Sequence, residues 1–137
     1  RKKNEDNTYL AAENKFFKAN RSKKGIVAMP SGLQYQVLKD GTGQNVNYND
    51  KVQMRYEGKL VNGDVFKSNM DATAPETVTV NSAIPGWVEG LQMMKKGAKY
   101  RFFIPSRLGY AEKGDGEKVP PNTALIYDVE IIDIVGR

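Results

Sequence analysis

Neither histidine nor cysteine occurs among the 137 residues of this chain, which narrows the chemistry open to it. Without imidazole there is no Ser-His-Asp triad, and the usual general base and commonest metal ligand are missing. Without thiols there are no disulfides, thiolate zinc sites or cysteine nucleophiles. The single tryptophan is the side chain around which a site could be built. Trp87 lies in the run Ile84-Pro85-Gly86-Trp87-Val88-Glu89-Gly90-Leu91-Gln92-Met93-Met94, whose apolar positions 84, 87, 88, 91 and 94 share one helical face. A tryptophan on that face either fills a core or floors a cavity, and the run alone leaves both open.

The elements that must position it read as follows. Pro85 suits a first helical turn, and Lys95, Lys96 and Gly97 suit a last one, so a helix of about three turns is expected. Before it, Leu33–Leu38 alternates as a first strand, ended by Lys39-Asp40-Gly41-Thr42-Gly43. Val52, Met54, Tyr56, Gly58 and Leu60 alternate with Gln53, Arg55, Glu57 and Lys59, the cleanest half-buried strand in the chain. Asn62-Gly63 is a hairpin turn leading to Asp64–Lys67. Residues 69–76 read as irregular, and Thr77–Val80 as a short strand. After the helix, Ala98–Ile104 is a strand stopped by Pro105. A long loop, Ser106–Asn122, precedes the last strand, Thr123–Ile134, where adjacent Ile131 and Ile132 indicate a bulge. Near the start, Tyr9, Leu10, Ala12, Phe16 and Phe17 predict an amphipathic helix over 8–19 with Thr8 as its cap, behind a frayed stretch 1–6. Phe16 and Phe17 need cover, from the domain or from a partner beyond this helix. Strands flanking a lone helix with short links indicate an α+β fold, an antiparallel sheet wrapping one short helix.

The length suits one domain with its own core, preceded by a basic segment over residues 1–24 and running over 25–137. No apolar run approaches the ~18 residues of a membrane span, and no signal peptide is visible. The chain starts at Arg1, which reads as a processed or trimmed form. The net charge of +5 lies entirely in residues 1–24, where Arg1, Lys2, Lys3, Lys15, Lys18, Arg21, Lys23 and Lys24 face Glu5, Asp6 and Glu13. A basic segment on a neutral domain argues against a nucleic-acid surface, which would spread its charge over the fold.

Five groups of residues, in order, resemble one family. They are Tyr56 with Gly58; Asn62-Gly63-Asp64-Val65-Phe66; Ile84-Pro85-Gly86-Trp87; Ile104-Pro105-Ser106 with Leu108 and Tyr110; and Val119-Pro120-Pro121-Asn122 with Tyr127-Asp128-Val129-Glu130. Together they resemble FKBP-type peptidyl-prolyl cis-trans isomerases over residues 8–134. Ser31-Gly32-Leu33-Gln34-Tyr35 and the preceding helix are similar to the bacterial macrophage-infectivity-potentiator-like branch. The resemblance implies a curled five- or six-stranded antiparallel sheet around the short helix, with an apolar pocket between. It also implies that Tyr56, Phe66, Ile84, Trp87, Tyr110 and Tyr127 form that pocket, with Trp87 as floor, Ala83 and Val119 at the rim and Lys67 beside the substrate. No metal or cofactor is implied. The implied partners are proline-containing polypeptides, a macrolide ligand, and a second copy through the N-terminal segment. The implied place is the periplasm or cell envelope, with the cytoplasm left open.

Such a pocket needs no ionising group. The barrier to turning an X-Pro bond comes from amide resonance, and the twisted transition state has a less polar carbonyl than the planar amide. An aromatic, water-poor pocket withdraws the solvent that stabilises the planar form and holds the ring while the bond turns. By the family's analogy the Ile84 N–H and the Tyr110 hydroxyl hold substrate carbonyls, with a loose, apolar-leaning choice of the residue before proline. Three stretches depart from the family. Phe66-Lys67-Ser68 stands where Phe-Asp-Ser is usual, Gly109-Tyr110-Ala111 where Ala-Tyr-Gly is usual, and Lys118 where an apolar rim residue is common. Lys67 implies reduced activity and supports the alternative of a binding or chaperone module with little turnover. A third alternative is an envelope protein that acts through its N-terminal helix.

Overall fold

A computed structural model describes residues 2–116 and 118–136, leaving aside the side chains of residues 2–10 and 112. The elements are helix α1 (Lys2–Asn20), strands β1 (Ile26–Ala28), β2 (Gln34–Lys39), β3 (Thr42–Asn45), β4 (Lys51–Leu60), β5 (Val65–Ser68) and β6 (Glu76–Thr79), helix α2 (Pro85–Leu91), and strands β7 (Lys95–Lys96), β8 (Lys99–Ile104) and β9 (Leu125–Ile134).

The alternation in β4 makes it the inner strand that everything else is placed against. Val52, Met54, Tyr56 and Gly58 are buried, and the residues between them are only half covered. β4 lies in a seven-stranded antiparallel sheet of order β1-β2-β8-β9-β4-β5, with β6 also on β4. The count exceeds the expected five or six for two reasons. β5 pairs with Glu57–Lys59 and β6 with Lys51–Met54, so two strands divide one edge of β4. β1 is three residues long, too short for alternation to signal it. The turn expected at 39–43 also runs into a strand, because β3 pairs with β7 in a separate ribbon. In β9 the register passes from Asp133 to Ile131 while β4 advances one residue. Ile132 is the bulged residue, exposed between the buried Ile131 and Ile134.

α2 rests on one face of the sheet, and two of its glycines explain how closely. A Cβ on Gly86 would lie 2.7 Å from Ile104 Cγ2, and one on Gly90 would lie 2.6 Å from Phe102 Cε1. The helix is seven residues long and not three turns. The bonds Met93 N–H to Gly90 and Met94 N–H to Leu91 tighten its end, and the pairing of Lys95-Lys96 with β3 pulls the chain into extended form.

α1 begins at Lys2, so Thr8 is interior and does not cap it. Helix formation through the polar first residues replaces the expected frayed start. Near its other end α1 lies on the sheet face opposite α2. The Phe16 ring sits 6.2 Å from Phe103, whose side chain points away from those of Phe102 and Ile104. Glu13 accepts hydrogen bonds from the Ser106 N–H and hydroxyl. Buried Asn20 donates to Gln34 at 2.8 Å, and Gln34 in turn donates to the Phe17 carbonyl at 3.0 Å, which also accepts from the Arg21 N–H. The domain itself therefore supplies the cover for Phe16.

Candidate active site

Ile84 caps α2 in extended conformation and Pro85 occupies its first turn, which sets Trp87 on the sheet-facing side. Around the indole stands a set of rings packed edge to face. Tyr127 lies 4.8 Å away at 73°, and Tyr56 lies 5.1 Å away at 69°. Tyr127 in turn meets Tyr56 at 6.1 Å and Phe66 at 5.5 Å. These are favourable quadrupole geometries and hold the rings in fixed orientations. Gly58 makes room for them, since a Cβ there would lie 2.6 Å from Tyr127 Cε1 and 2.7 Å from Phe66 Cζ.

Above Trp87 opens a cavity of about 460 Å³. Ala83, Ile84, Trp87, Tyr110, Tyr127 and Lys67 line it, together with Glu76, Thr77, Val78 and Thr79 of β6 and Ser82. Of the residues singled out in the sequence, Tyr56 and Phe66 stand one layer back, as buttresses of Trp87 and Tyr127. Val119 is 1% exposed and faces the core, with its backbone bridged to Asp115. The Ile84 N–H has no protein acceptor among the described residues. The Tyr110 and Tyr127 side chains both face this cavity. Burial, reinforced by neighbouring tyrosines and Asp115, raises the pKa of Tyr127. Burial also raises that of Tyr110, with Asp115 adding to it. Both hydroxyls therefore stay protonated donors at neutral pH.

Glu76 escaped the sequence reading. Its carboxylate accepts the Tyr56 hydroxyl at 2.7 Å. Burial, then this hydrogen bond and the charge of Glu76, push the Tyr56 pKa up. Lys67, on the neighbouring strand, places its ammonium 5.6 Å from the centroid of the same ring, a cation–π distance. A carboxylate thus stands beside Tyr56 although position 67 is a lysine. Glu76 supplies it from β6. The pairing of Glu76 with Met54 makes Glu76 a diagonal neighbour of Tyr56 on the same sheet face. No local pattern carries that register.

Asn69 also went unread, inside the stretch taken as irregular. Its side chain accepts from the Tyr56 N–H at 2.7 Å and donates to the Met54 carbonyl at 3.1 Å. It bridges the gap that β5 and β6 leave along β4. Arg55 donates to the carbonyls of Asn69 and Ala72, at 3.2 and 2.8 Å, which fixes the turn that delivers Glu76. In the long loop, Ala111 follows Tyr110 with φ 51, the left-handed region. It occupies the position where the family favours glycine, and its carbonyl accepts from Asn122 N–H at 2.8 Å.

The chain shares this architecture with known proteins. The family model described as FKBP-type peptidyl-prolyl cis-trans isomerase matches residues 42–132, and the one for the domain amino terminal to it matches residues 1–37. A protein named FKBP-type peptidyl-prolyl cis-trans isomerase FkpA from Aeromonas hydrophila is 44% identical over 119 residues, which is 87% of this chain and 44% of that protein. Outer membrane protein MIP of Legionella longbeachae is 41% identical over 129 residues, 90% of this chain and 55% of that one. A crystal structure of a peptidyl-prolyl cis-trans isomerase from Pseudomonas syringae pv. tomato superposes with a TM-score of 0.87 at 34% identity, covering 93% of this chain and 94% of that one. The chain belongs to the FKBP-type peptidyl-prolyl cis-trans isomerase family. It spans about half the length of the two curated relatives named here.

Proposed function

We propose that this chain catalyses cis-trans isomerisation of X-Pro bonds in polypeptides, with the proline ring seated over Trp87. The observation that carries the proposal is the cavity itself. Its aromatic floor is held by edge-to-face contacts, and its mouth offers the Tyr110 hydroxyl and the Ile84 N–H, which has no acceptor among the described residues. The ring enters the cavity and sheds water. The donors hold the flanking carbonyls, and the bond turns in surroundings that favour the less polar twisted amide. Protonated tyrosines donate hydrogen bonds without giving up a proton. Glu76 acts through Tyr56, fixing the ring that supports Trp87.

Lys67 was the reason to expect reduced activity, and it supported a binding module with little turnover. The carboxylate contributed by β6 weakens both arguments. The ammonium is exposed and lies on a ring face, where its charge is screened. The deficit we propose is therefore modest. Proline-containing clients, macrolide binding at Trp87 and pairing of two copies through α1 belong to the same proposal. So does an envelope location, which rests on the name of the Legionella longbeachae relative. The test is the refolding of a protein whose slow phase is limited by proline isomerisation. Catalytic amounts of this chain should shorten that phase, and an unchanged phase would overturn the proposal.

A further inference from the structure

Among the described residues the cavity has two charged side chains in its lining, Lys67 on β5 and Glu76 on β6. They are committed differently. Glu76 spends one oxygen on the Tyr56 hydroxyl at 2.7 Å. Lys67 has no carboxylate within ion-pair distance among the described residues, and its ammonium lies 5.6 Å from the centre of the Tyr56 ring. A ring face attracts a cation but leaves its N–H groups unsatisfied by any anionic acceptor. On the same side, Lys118 lines the adjoining depression beside Phe66, shared there with Asp64 of the hairpin. The β5 side of the mouth therefore presents an uncommitted cation to a polypeptide whose proline lies over Trp87.

We infer that Lys67 makes this site select X-Pro segments that carry an aspartate or glutamate next to the proline. The inference rests on the isomerase reading and departs from the apolar-leaning preference expected from the family. A substrate carboxylate would meet the ammonium at the cavity edge, partly shielded from water by the Tyr56 ring. Partly exposed pairs of this kind discriminate modestly, by about two- to fivefold. Glu76 bounds the effect from the other side, because a carboxylate on the β6 side would be repelled.

The test uses two peptide series around one proline, with Glu, Gln or Lys immediately before it in one and immediately after it in the other. Exchange rates between cis and trans forms give kcat/KM for each peptide. The Glu-to-Gln ratio should be about two to five in at least one series and should fall with added salt. Lys67→Gln should bring that ratio to about one, and Lys67→Glu should invert it. A wild-type ratio of one in both series, or a ratio that survives Lys67→Gln, would overturn the inference. If no peptide is turned over, the isomerase reading fails. The same ratios are then read as affinities from the fluorescence of Trp87, the only tryptophan. Equal affinities for the Glu and Gln peptides would overturn the selection, and tighter binding of Glu that Lys67→Gln removes would sustain it.

Discussion

The Tyr56 hydroxyl and the Glu76 carboxylate meet at 2.7 Å across two strands that the sequence separates by twenty residues. Glu76 stands at the cavity edge and Tyr56 beneath it, so the bond links the lining to the ring that supports Trp87. Glu76→Gln keeps the shape and removes the charge. The hydrogen bond drops from charge-assisted to neutral, and kcat/KM on a proline peptide should fall roughly five- to tenfold. Adding Lys67→Asp should restore part of the loss, because residue 67 reaches the same ring. Lys67→Asp alone should give little gain, since it would set a second carboxylate near the first. An unaltered kcat/KM in Glu76→Gln would show that the bond has no part in turnover.

Trp87→Ala removes the floor and a side chain only 7% exposed. A loss of about 3–5 kcal/mol is expected from urea unfolding, together with loss of macrolide binding. A variant that keeps its stability and its ligand would place the indole outside both core and pocket.

Ala111 holds φ 51 without the freedom of glycine, which costs it roughly 1 kcal/mol. Ala111→Gly should relieve that strain and raise the urea midpoint by a corresponding amount. A lowered midpoint would show that the loop gains nothing from the change.

The alternation in β4 and the family's signature residues made the sheet, the helix and Trp87 legible in advance. What stayed hidden depends on strand register and side-chain bridging. Glu76 reaches Tyr56 because β6 pairs with β4 at Met54, and register between strands leaves no trace in either strand's own residues. Asn69 lies in the stretch 69–76 that reads as irregular, yet its amide replaces two ladder bonds. The end of α2 was overextended because apolar spacing continued through Met94, while the pairing of Lys95 and Lys96 with β3 overrode it.

Tyr56 and Tyr127 both ionise well above the ordinary 10.0, chiefly because of burial. In the unfolded chain they lose protons near 10, so above that pH the folded state binds more protons than the unfolded one. Their contribution to stability is complete below about pH 10 and is lost as pH rises through the folded values. Urea midpoints should be level through neutral pH, begin to drop at about pH 10 and keep falling as the pH rises further. A midpoint that rises over that range would contradict the assigned direction.

A chain of residues 25–137 lacks α1 and the basic segment. Its strands and α2 lie wholly within that range, so it should fold, with a cooperative urea transition. Phe103 and Gln34 lose their cover, and the stability should drop by about 2–3 kcal/mol for the uncovered ring alone. An unfolded product by circular dichroism would make α1 part of the core.

The central claim is that the cavity over Trp87 turns X-Pro bonds. Its most direct measurement is magnetisation exchange between the cis and trans resonances of a short proline peptide, with this chain at a small fraction of the peptide concentration. Uncatalysed exchange takes tens of seconds or longer. The account predicts exchange fast enough to register within the relaxation time of the peptide signals, suppressed by a macrolide that fills the cavity. Exchange equal to that of the free peptide, from a chain shown to be folded, would contradict it.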